Sequence, residues 1–429
     1  MRILVVGGGG REHALVWALR RDLPAAILFA APGNPGTALI ATNLQADPAN
    51  GDHVARIVRD HHIDLTVIGP EAPLVAGLAD RLRADGRLVF GPSAAAARIE
   101  ASKAFAKEVM GRAGVPTAAS RTFTAVGPAL DFIGGHAEPL VVKASGLAAG
   151  KGAVVCATRA EAVATARAML VEGAFGEAGH EIVIEDALEG EELSVLALTD
   201  GERVVLLPPA QDHKRLGEGD TGPNTGGMGA YCPVGLATPS LLERVRREVL
   251  VPTLAALADA GAPYQGVLFA GLMIARDGTP NVLEFNCRFG DPETQAILPA
   301  LAPGILNHVV AIAEDRWRPA AATLPATRAA VTTVLAAAGY PDRPETGAAI
   351  TIPDDVGGPD VLVFHAGTTR GPDGLLRVRG GRVLNVTGLG TTVAQAAERS
   401  RAAGTRVRFQ GMQYRRDIAW REGSRAGAA

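Results

Sequence analysis

The sequence predicts a multidomain α/β protein whose N-terminal part is a doubly wound parallel sheet. Three observations carry that expectation. A β run ends in glycines and opens a helix, the same βα unit recurs up to about residue 101, and the chain is too long for one core. At 429 residues, about two to four domains are expected.

The first strand spans Ile3 to Val6 and runs into Gly7-Gly8-Gly9-Gly10, after which Arg11-Glu12-His13 opens a helix reaching about Arg20. A glycine turn between strand and helix can cradle phosphate, because backbone N–H groups and the helix N-terminus face the anion. The dinucleotide spacing is absent, since the positions that would need the third glycine are Glu12 and His13. The next strand, Ala26 to Ala30, ends in Ala-Pro-Gly-Asn, with no acid for a ribose. A phosphate-bearing small molecule and a purely structural turn both remain open. Further units follow: strand Asp64 to Ile68, the loop Gly69-Pro70-Glu71-Ala72-Pro73-Leu74, helix Val75 to Arg83, and strand Leu88 to Phe90. Loops at one edge of such a sheet form its ligand crevice. A helix from Ser102 to Ala113, carrying Lys103 and Lys107, stops at Gly114-Val115-Pro116. The alternation breaks here, which places a boundary near residue 101.

The middle of the chain is punctuated differently. Strand Leu140 to Lys143 and strand Ala153 to Cys156 flank a loop, Ala144 to Gly152, that holds Gly146, Gly150, Lys151 and Gly152. Only three residues separate Gly146 from Gly150, and Gly152 stands where a P-loop has its hydroxyl, so the pattern is not a P-loop. It suits a flap over phosphates or a plain hairpin. Strand Ile182 to Glu185 leads through an acidic turn to a second strand beginning at Glu192. A polar, glycine-rich stretch from Gln211 to Gly229 is too long for a simple connection and favours function. Val267 to Ile274 and Val282 to Phe285 are strands around an Asp277-Gly278 turn. Side chains alternate along a strand, so Glu284 and Asn286 share a face, two hard oxygen ligands of the kind Mg²⁺ takes. Arg288 follows on that face with a guanidinium fork for carboxylate or phosphate. The alternative is a half-buried strand with an internal Glu–Arg pair.

Lysine strand, glycine flap, acidic hinge and Glu-x-Asn strand, in that order, resemble the ATP-grasp ligases. Within them, several stretches are similar to the phosphoribosylamine–glycine ligase family. These are Gly-Gly-Arg-Glu-His-Ala at 9–14, Gly-Pro-Glu-Ala-Pro-Leu at 69–74 and Lys-Ala-Ser-Gly-Leu-Ala-Ala-Gly-Lys-Gly at 143–152. Gln-Asp-His-Lys-Arg at 211–215, the run from Asp220 to Ala230, and the run from Glu284 to Gln295 belong with them. The resemblance extends from residue 1 to about residue 421. Ser145 departs from it, standing where the family has an acid, so no role rests on a charge there.

The resemblance implies an ATP-grasp fold and a two-step chemistry. Glycine's carboxylate attacks the γ-phosphate of ATP, and the amine of 5-phosphoribosylamine then displaces phosphate from glycyl phosphate, giving glycinamide ribonucleotide for purine biosynthesis. It implies Lys103 and Lys143 on the α/β-phosphates, with Gly150, Lys151 and Gly152 of the flap over β/γ. Adenine would lie against the backbone of Glu185 to Leu188, with Glu192 on the ribose. Glu284 and Asn286 would hold Mg²⁺ or Mn²⁺. The preceding strand, Gly271-Leu272-Met273-Ile274, offers no further carboxylate ligand. Gly9, Gly10 and Arg11 would face the second substrate's phosphate, with Asn34, Glu71, Lys214, Arg215 and Asn224 as neighbours. Asp212 would bind glycine's ammonium or orient the incoming amine. Arg288 would grip glycine's carboxylate, with Gly290 and Asp291 beside the transferring group.

The last segment is expected to be a small α+β domain packed on the nucleotide domain. An Ala/Pro-rich linker, Pro319 to Pro325, precedes strands at Ala330–Leu335, Asp360–His365 and Gly381–Thr387, then a helix from Thr392 to Ala403. The expected domains are therefore 1–101, 102–325 and 326–421, with a disordered tail at 422–429. A net charge of −3 gives no footprint for nucleic acid. Three widely spaced cysteines suggest neither zinc site nor disulfide framework. The N-terminal apolar run is too short for a signal peptide, and none approaches a membrane span of ~20 residues. A cytoplasmic monomer acting on small molecules, with no nucleic-acid or membrane partner, is expected. Another purine-pathway ATP-grasp carboxylate–amine ligase and a non-catalytic nucleotide-binding regulator are the rival readings.

Overall fold

Ile3, Leu4, Val5 and Val6 have no solvent exposure, as a strand covered on both faces of a parallel sheet requires. In the computed structural model, which describes residues 1–148 and 151–426, this run is the strand Arg2–Gly7 at the centre of a five-stranded sheet. Its neighbours are Ile27–Pro32, then Thr42–Asn43, on one side and Leu65–Ile68, then Leu88–Phe90, on the other, all parallel. The strand order reverses between Arg2–Gly7 and Leu65–Ile68, so the ligand crevice falls at Gly7–Arg11 and Gly69–Glu71. The single helix expected over Val75–Arg83 is two, Glu71–Val75 and Leu78–Ala84, because Gly77 turns left-handed at φ 82° between them. Ser102 caps the helix Lys103–Ala113 by accepting from Phe105 N at 3.1 Å.

Two four-stranded sheets build the middle of the chain. One orders Ser120–Phe123, Ile182–Asp186, Leu140–Ala144 and Ala153–Cys156, all antiparallel, against the helices Val126–Gly135 and Arg159–Leu170. The other orders Val204–Leu206, Glu191–Thr199, Gly266–Ile274 and Pro280–Asn286. The expected strands are present, one or two residues longer at their ends.

The long polar stretch is not an unstructured loop. Gln211–Asp212 and Gly229–Cys232 pair with each other and extend the sheet of the C-terminal segment, in the order 211–212, 229–232, 329–336, 382–390, 361–365. The C-terminal part thus shares a sheet with the middle of the chain, with the helix Val393–Gly404 packed on it. The tail expected to be disordered from 422 is helical over Trp420–Ala426. Arg425 fixes it, donating to Tyr231 Oη at 3.2 Å and to Glu422 and pairing with Glu191. Among the described residues no helix is long and apolar enough to cross a membrane.

Candidate functional site

A cavity of about 530 Å³ lies where the crevice of the parallel sheet meets both antiparallel sheets. Arg11 and Glu71 enter it from the first sheet's loops, and Lys103 from the helix that follows. Lys143, Gly152, Glu185 and Leu188 reach it from the flap sheet and hinge, and Glu192, Asp212, Lys214 and Asn224 from the strands and loop beyond. Glu284, Asn286, Arg288 and Asp291 line the remaining wall. Residues up to 280 positions apart in the sequence therefore share one space, as their expected roles require.

Two of the cavity's lysines, Lys143 and Lys107, are held by the chain itself. Glu185 is buried and pairs with both Lys143 and Lys107, the latter at 2.7 Å. Lys143 also donates to Leu283 O at 3.0 Å, which ties the flap sheet to the Glu284 strand. Lys107 donates to Thr117 Oγ1 at 2.8 Å. Glu185 lies between two paired strands, opposite Ser120 and Val141, so its backbone is spent in the ladder. The backbone expected to face adenine therefore begins at the hinge after Asp186, and Glu185 serves through its side chain. Met110, Val141, Val155, Val183, Met273 and Leu283 supply an apolar lining of the sort a purine ring needs.

Carboxylates in this cavity have opposite fates. Among the described residues Glu284, Asp212 and Glu293 take part in no ion pair, whereas Glu71, Glu185, Glu192 and Asp291 do. Burial would raise the Glu284 pKa, but the charges of Lys214, Lys143, Lys103 and Arg288 outweigh it and hold the group below the ordinary value. Burial raises Asp212 to about 7 against the pull of Lys214, with Glu293, Glu192 and Glu284 adding to the rise. Burial likewise raises Glu293, whose Oε1 accepts from Ser194 Oγ at 3.2 Å. Lys214, paired with Glu192 at 2.6 Å, is raised although burial opposes it.

The guanidinium fork of Arg288 is not open to a ligand. Nη2 donates to Glu100 Oε1 at 2.8 Å and Asn286 Oδ1 at 3.0 Å, Nε to Glu71 Oε2 at 3.3 Å, and Nη1 to Phe289 O at 3.3 Å. Four of its five N–H donors are thereby used, leaving one on Nη1. An internal pair does exist, as one reading of the strand expected, but with Glu71 and Glu100 and not Glu284. Glu100 also accepts from Cys287 N at 2.7 Å, and burial raises its pKa.

Six expected residues do not line the cavity. Glu12 fills the glycine turn: Gly9 N donates to its Oε2 at 2.7 Å and Arg11 Nε to its Oε1 at 2.6 Å. A Cβ on Gly69 would lie 2.2 Å from Glu12 Oε1, and one on Gly7, at φ +123°, 2.6 Å from its Cγ. Gly7, Gly9 and Gly69 make room for the Glu12 carboxylate and Gly10 for the side chains of Asn385 and Gln295, and Arg11 alone of Gly9, Gly10 and Arg11 lines the cavity. Asn34 is buried with its amide saturated: Nδ2 donates to Gly8 O at 3.0 Å and His365 O at 2.8 Å, while Oδ1 accepts from Gly36 N and Thr37 N. Arg215 points across its own hairpin to Gly222 O. A Cβ on Gly290 would meet Glu293 Oε2 at 2.4 Å, so this glycine makes room for that acid. Lys151 reaches out to Pro341 O at 2.8 Å, and Gly150 lies outside the described residues.

Several lining residues escaped the sequence reading: Glu100, Lys107, Ser194, Thr225, Glu293 and Arg382. Lys107 carried a signal, since it follows Lys103 by four residues on one helix face. Arg382 carried none; it arrives from the C-terminal sheet, donating to Asp291 O at 2.7 Å and approaching its Oδ2 at 3.3 Å. Glu284 and Asn286 present two oxygen ligands at the cavity wall. That set fits Mg²⁺, which keeps waters and takes substrate phosphates for its other positions.

Residues 1–100, 101–294 and 330–421 match the descriptions of the N domain, the ATP-grasp (A) domain and the C domain of phosphoribosylglycinamide synthetase. The chain is 46% identical over 428 residues to a phosphoribosylamine–glycine ligase of Agrobacterium fabrum, covering 98% of each. It is 45% identical over 425 residues to the Escherichia coli O157:H7 protein of that name, again covering 98% of each. The crystal structure of phosphoribosylamine–glycine ligase from Thermotoga maritima superposes with a TM-score of 0.87 at 35% identity, covering 97% of this chain and 100% of that one. A biotin carboxylase of Campylobacter jejuni shares the fold, with a TM-score of 0.75 at 13% identity, 96% of this chain and 92% of the other being covered.

Proposed function

The chain belongs to the phosphoribosylglycinamide synthetase family of ATP-grasp ligases, and from that premise we propose that it joins glycine to 5-phosphoribosylamine at the expense of ATP. The products are glycinamide ribonucleotide, ADP and phosphate, a step of purine biosynthesis. The observation that carries the reading is the split among the cavity's unpaired acids: Lys214, Lys143, Lys103 and Arg288 hold Glu284 charged against burial, whereas burial prevails at Asp212 and Glu293.

The first step brings glycine's carboxylate against the γ-phosphate, so the site must supply positive charge and alignment. Lys143 and Lys103 meet the nucleotide phosphates, with Glu185 and Lys107 keeping Lys143 in place. Gly152 of the flap lies in the cavity wall, and Lys151 would turn from Pro341 O to the β/γ end. Ala187 and Leu188 of the hinge carry the adenine and Glu192 the ribose. Glu284 and Asn286 would hold Mg²⁺ or Mn²⁺, which would offset the negative charge developing on the phosphates. Arg288 fixes Asn286 beside Glu284 and keeps one N–H for glycine's carboxylate, next to Asp291. In the second step the amine attacks the acyl carbon and phosphate leaves. Asp212 and Glu293, whose proton affinity is raised by burial, would accept as carboxylates the proton the nitrogen sheds. Arg11, Glu71, Lys214 and Asn224 flank the phosphoribosylamine.

The cavity is built from one chain and is lined by the groups its small-molecule substrates need, which supports a monomer. ADP release measured with phosphoribosylamine and, in turn, glycine, other amino acids and bicarbonate tests the function. Release confined to glycine is expected. Release with bicarbonate would make it a different carboxylate–amine ligase, and nucleotide binding without release a regulator.

A further inference from the structure

Lys214 is carried into the cavity at the root of a piece of chain that cannot hold its own shape, two residues past the sheet strand Gln211–Asp212. Beyond Lys214 the strands Arg215–Gly217 and Thr221–Asn224 form a hairpin with only Arg215–Asn224 and Gly217–Thr221 in register. Two strands this short are not stable alone. The hairpin's base faces the cavity: Asn224 and Thr225 line it, and Thr225 N and Oγ1 both bond Lys214 O at 2.8 Å. Its tip turns away, with Gly219 at φ 65° and Asp220 at φ 58°.

The C-terminal segment crosses that hairpin, and Arg415 is its anchor. Arg415 is 1% exposed. Its Nε and Nη2 grip Asp417 at 2.8 and 2.7 Å, while Nη1 donates to Asp220 Oδ1 at 2.8 Å and Arg215 O at 3.1 Å. The neighbours of Arg415 repeat the link. Asp417 Oδ2 accepts from Gly219 N at 2.8 Å, Glu218 Oε1 from Arg416 N at 3.1 Å, and His213 Nε2 from Ala419 N at 3.2 Å, while Arg421 pairs with Asp220. Bonds therefore reach the hairpin at its root, its tip and the residue between Asp212 and Lys214.

We propose that Arg415 is a positioning residue for the ligation, holding the hairpin through Asp220 and Arg215 so that Lys214 and Asn224 keep their places beside the phosphoribosylamine. The role rests on the function proposed above. A buried guanidinium needs its charge partners, and only a planar fork can serve Asp417 on one edge while its remaining nitrogen serves the hairpin. Arg415 touches no residue of the phosphate end, so its loss should disturb the amine side selectively.

Asp220→Asn is the cleaner test. It cuts the charge link at the tip, leaves the Arg415–Asp417 fork, and puts at φ 58° a residue that tolerates left-handed backbone. Arg415→Lys, which loses the fork, is the companion variant. Misplacement of reacting groups by about 1 Å costs on the order of a hundredfold, so kcat should fall by about tenfold to a hundredfold for Asp220→Asn and further for Arg415→Lys. The KM for phosphoribosylamine should rise about tenfold in both while the KM for ATP moves by no more than about twofold. A lower melting temperature with all kinetic constants unchanged, or an equal rise in every KM, overturns the positioning role. The wild type is assayed alongside. Absence of glycine-dependent ADP release there overturns the functional reading and the role together, whereas unchanged kinetics in active variants overturn the role alone.

Discussion

Two ends of one cavity use the same chemical group in opposite ways. At the end built from Lys103 and Lys143, the carboxylate of Glu284 is held below its ordinary pKa, with burial overruled by cations, among them Lys214 from the border between the two ends. At the end built from Ser194, Asp212 and Glu293, burial prevails, and Asp212 is pushed up to about 7. Neither end contains an unusual residue. What differs is whether the fold sets enough cations against burial: Lys214, Lys143, Lys103 and Arg288 together overrule it at Glu284, whereas at Asp212 the pull of Lys214 is opposed by three acids and burial wins. A site that must first join two anions and then release a proton has use for both.

The first way to break the comparison is to neutralise the charged end. Glu284→Gln should cut kcat by about three orders of magnitude or more, since it removes the charged oxygen ligand at the point where anions are aligned. Circular dichroism should report an intact fold. Near-normal turnover would place the metal elsewhere. Lys143→Ala should come next, weakening ATP and ADP binding alike by about tenfold or more in titration calorimetry, because a buried charge pair loses one partner. Lys151→Ala should instead lower turnover more than ADP affinity. Equal losses would assign Lys151 to the wrong phosphate.

Arg288→Lys sharpens the boundary between the two ends. A lysine cannot serve Glu71, Glu100 and Asn286 together, so the melting temperature should fall and the KM for glycine should rise about tenfold. The KM for ATP should change little. An unchanged glycine KM with lowered stability would leave Arg288 a purely internal partner of Glu71 and Glu100.

The smallest effect is a pH slope in the ligand-free protein. The folded pKa of Asp212 is raised from 3.8 to about 7, so the folded state binds the extra proton between those values. The stability that this proton brings is fully present below about pH 4 and is lost as pH rises through about 7. Asp212→Asn should flatten that decline in thermal melts and be slightly more stable than the wild type above pH 7. Some slope should remain, because Glu293 is raised as well. A variant that declines as steeply as the wild type would remove Asp212 from the proton-holding end.

The charged end was readable in the sequence because it is local. Glu284 and Asn286 alternate on one strand, with Arg288 two residues past its end and not on it as expected, Lys143 precedes the flap on another, and both strands are marked by apolar runs and turns. The pairings were not readable. Glu100 reaches Arg288 across 188 positions and Arg382 reaches Asp291 across 91, and no periodicity connects residues so far apart. The N-terminal turn misled for a physical reason. Its glycines are what a phosphate would need, but they are equally what the Glu12 carboxylate needs, and composition cannot tell one anion from another. The same limit hid the strap over the hairpin, whose strands are too short to carry a pattern.

The most direct test of the two-ended site follows an oxygen atom. With glycine whose carboxylate carries heavy oxygen, activation at the Glu284 end followed by amine attack at the Asp212 end transfers one labelled oxygen to the released phosphate. The account predicts one label per phosphate in the wild type, and loss of that label in step with turnover in Glu284→Gln. Unlabelled phosphate released together with glycinamide ribonucleotide would mean that no acyl phosphate forms, and would contradict the division of labour between the two ends.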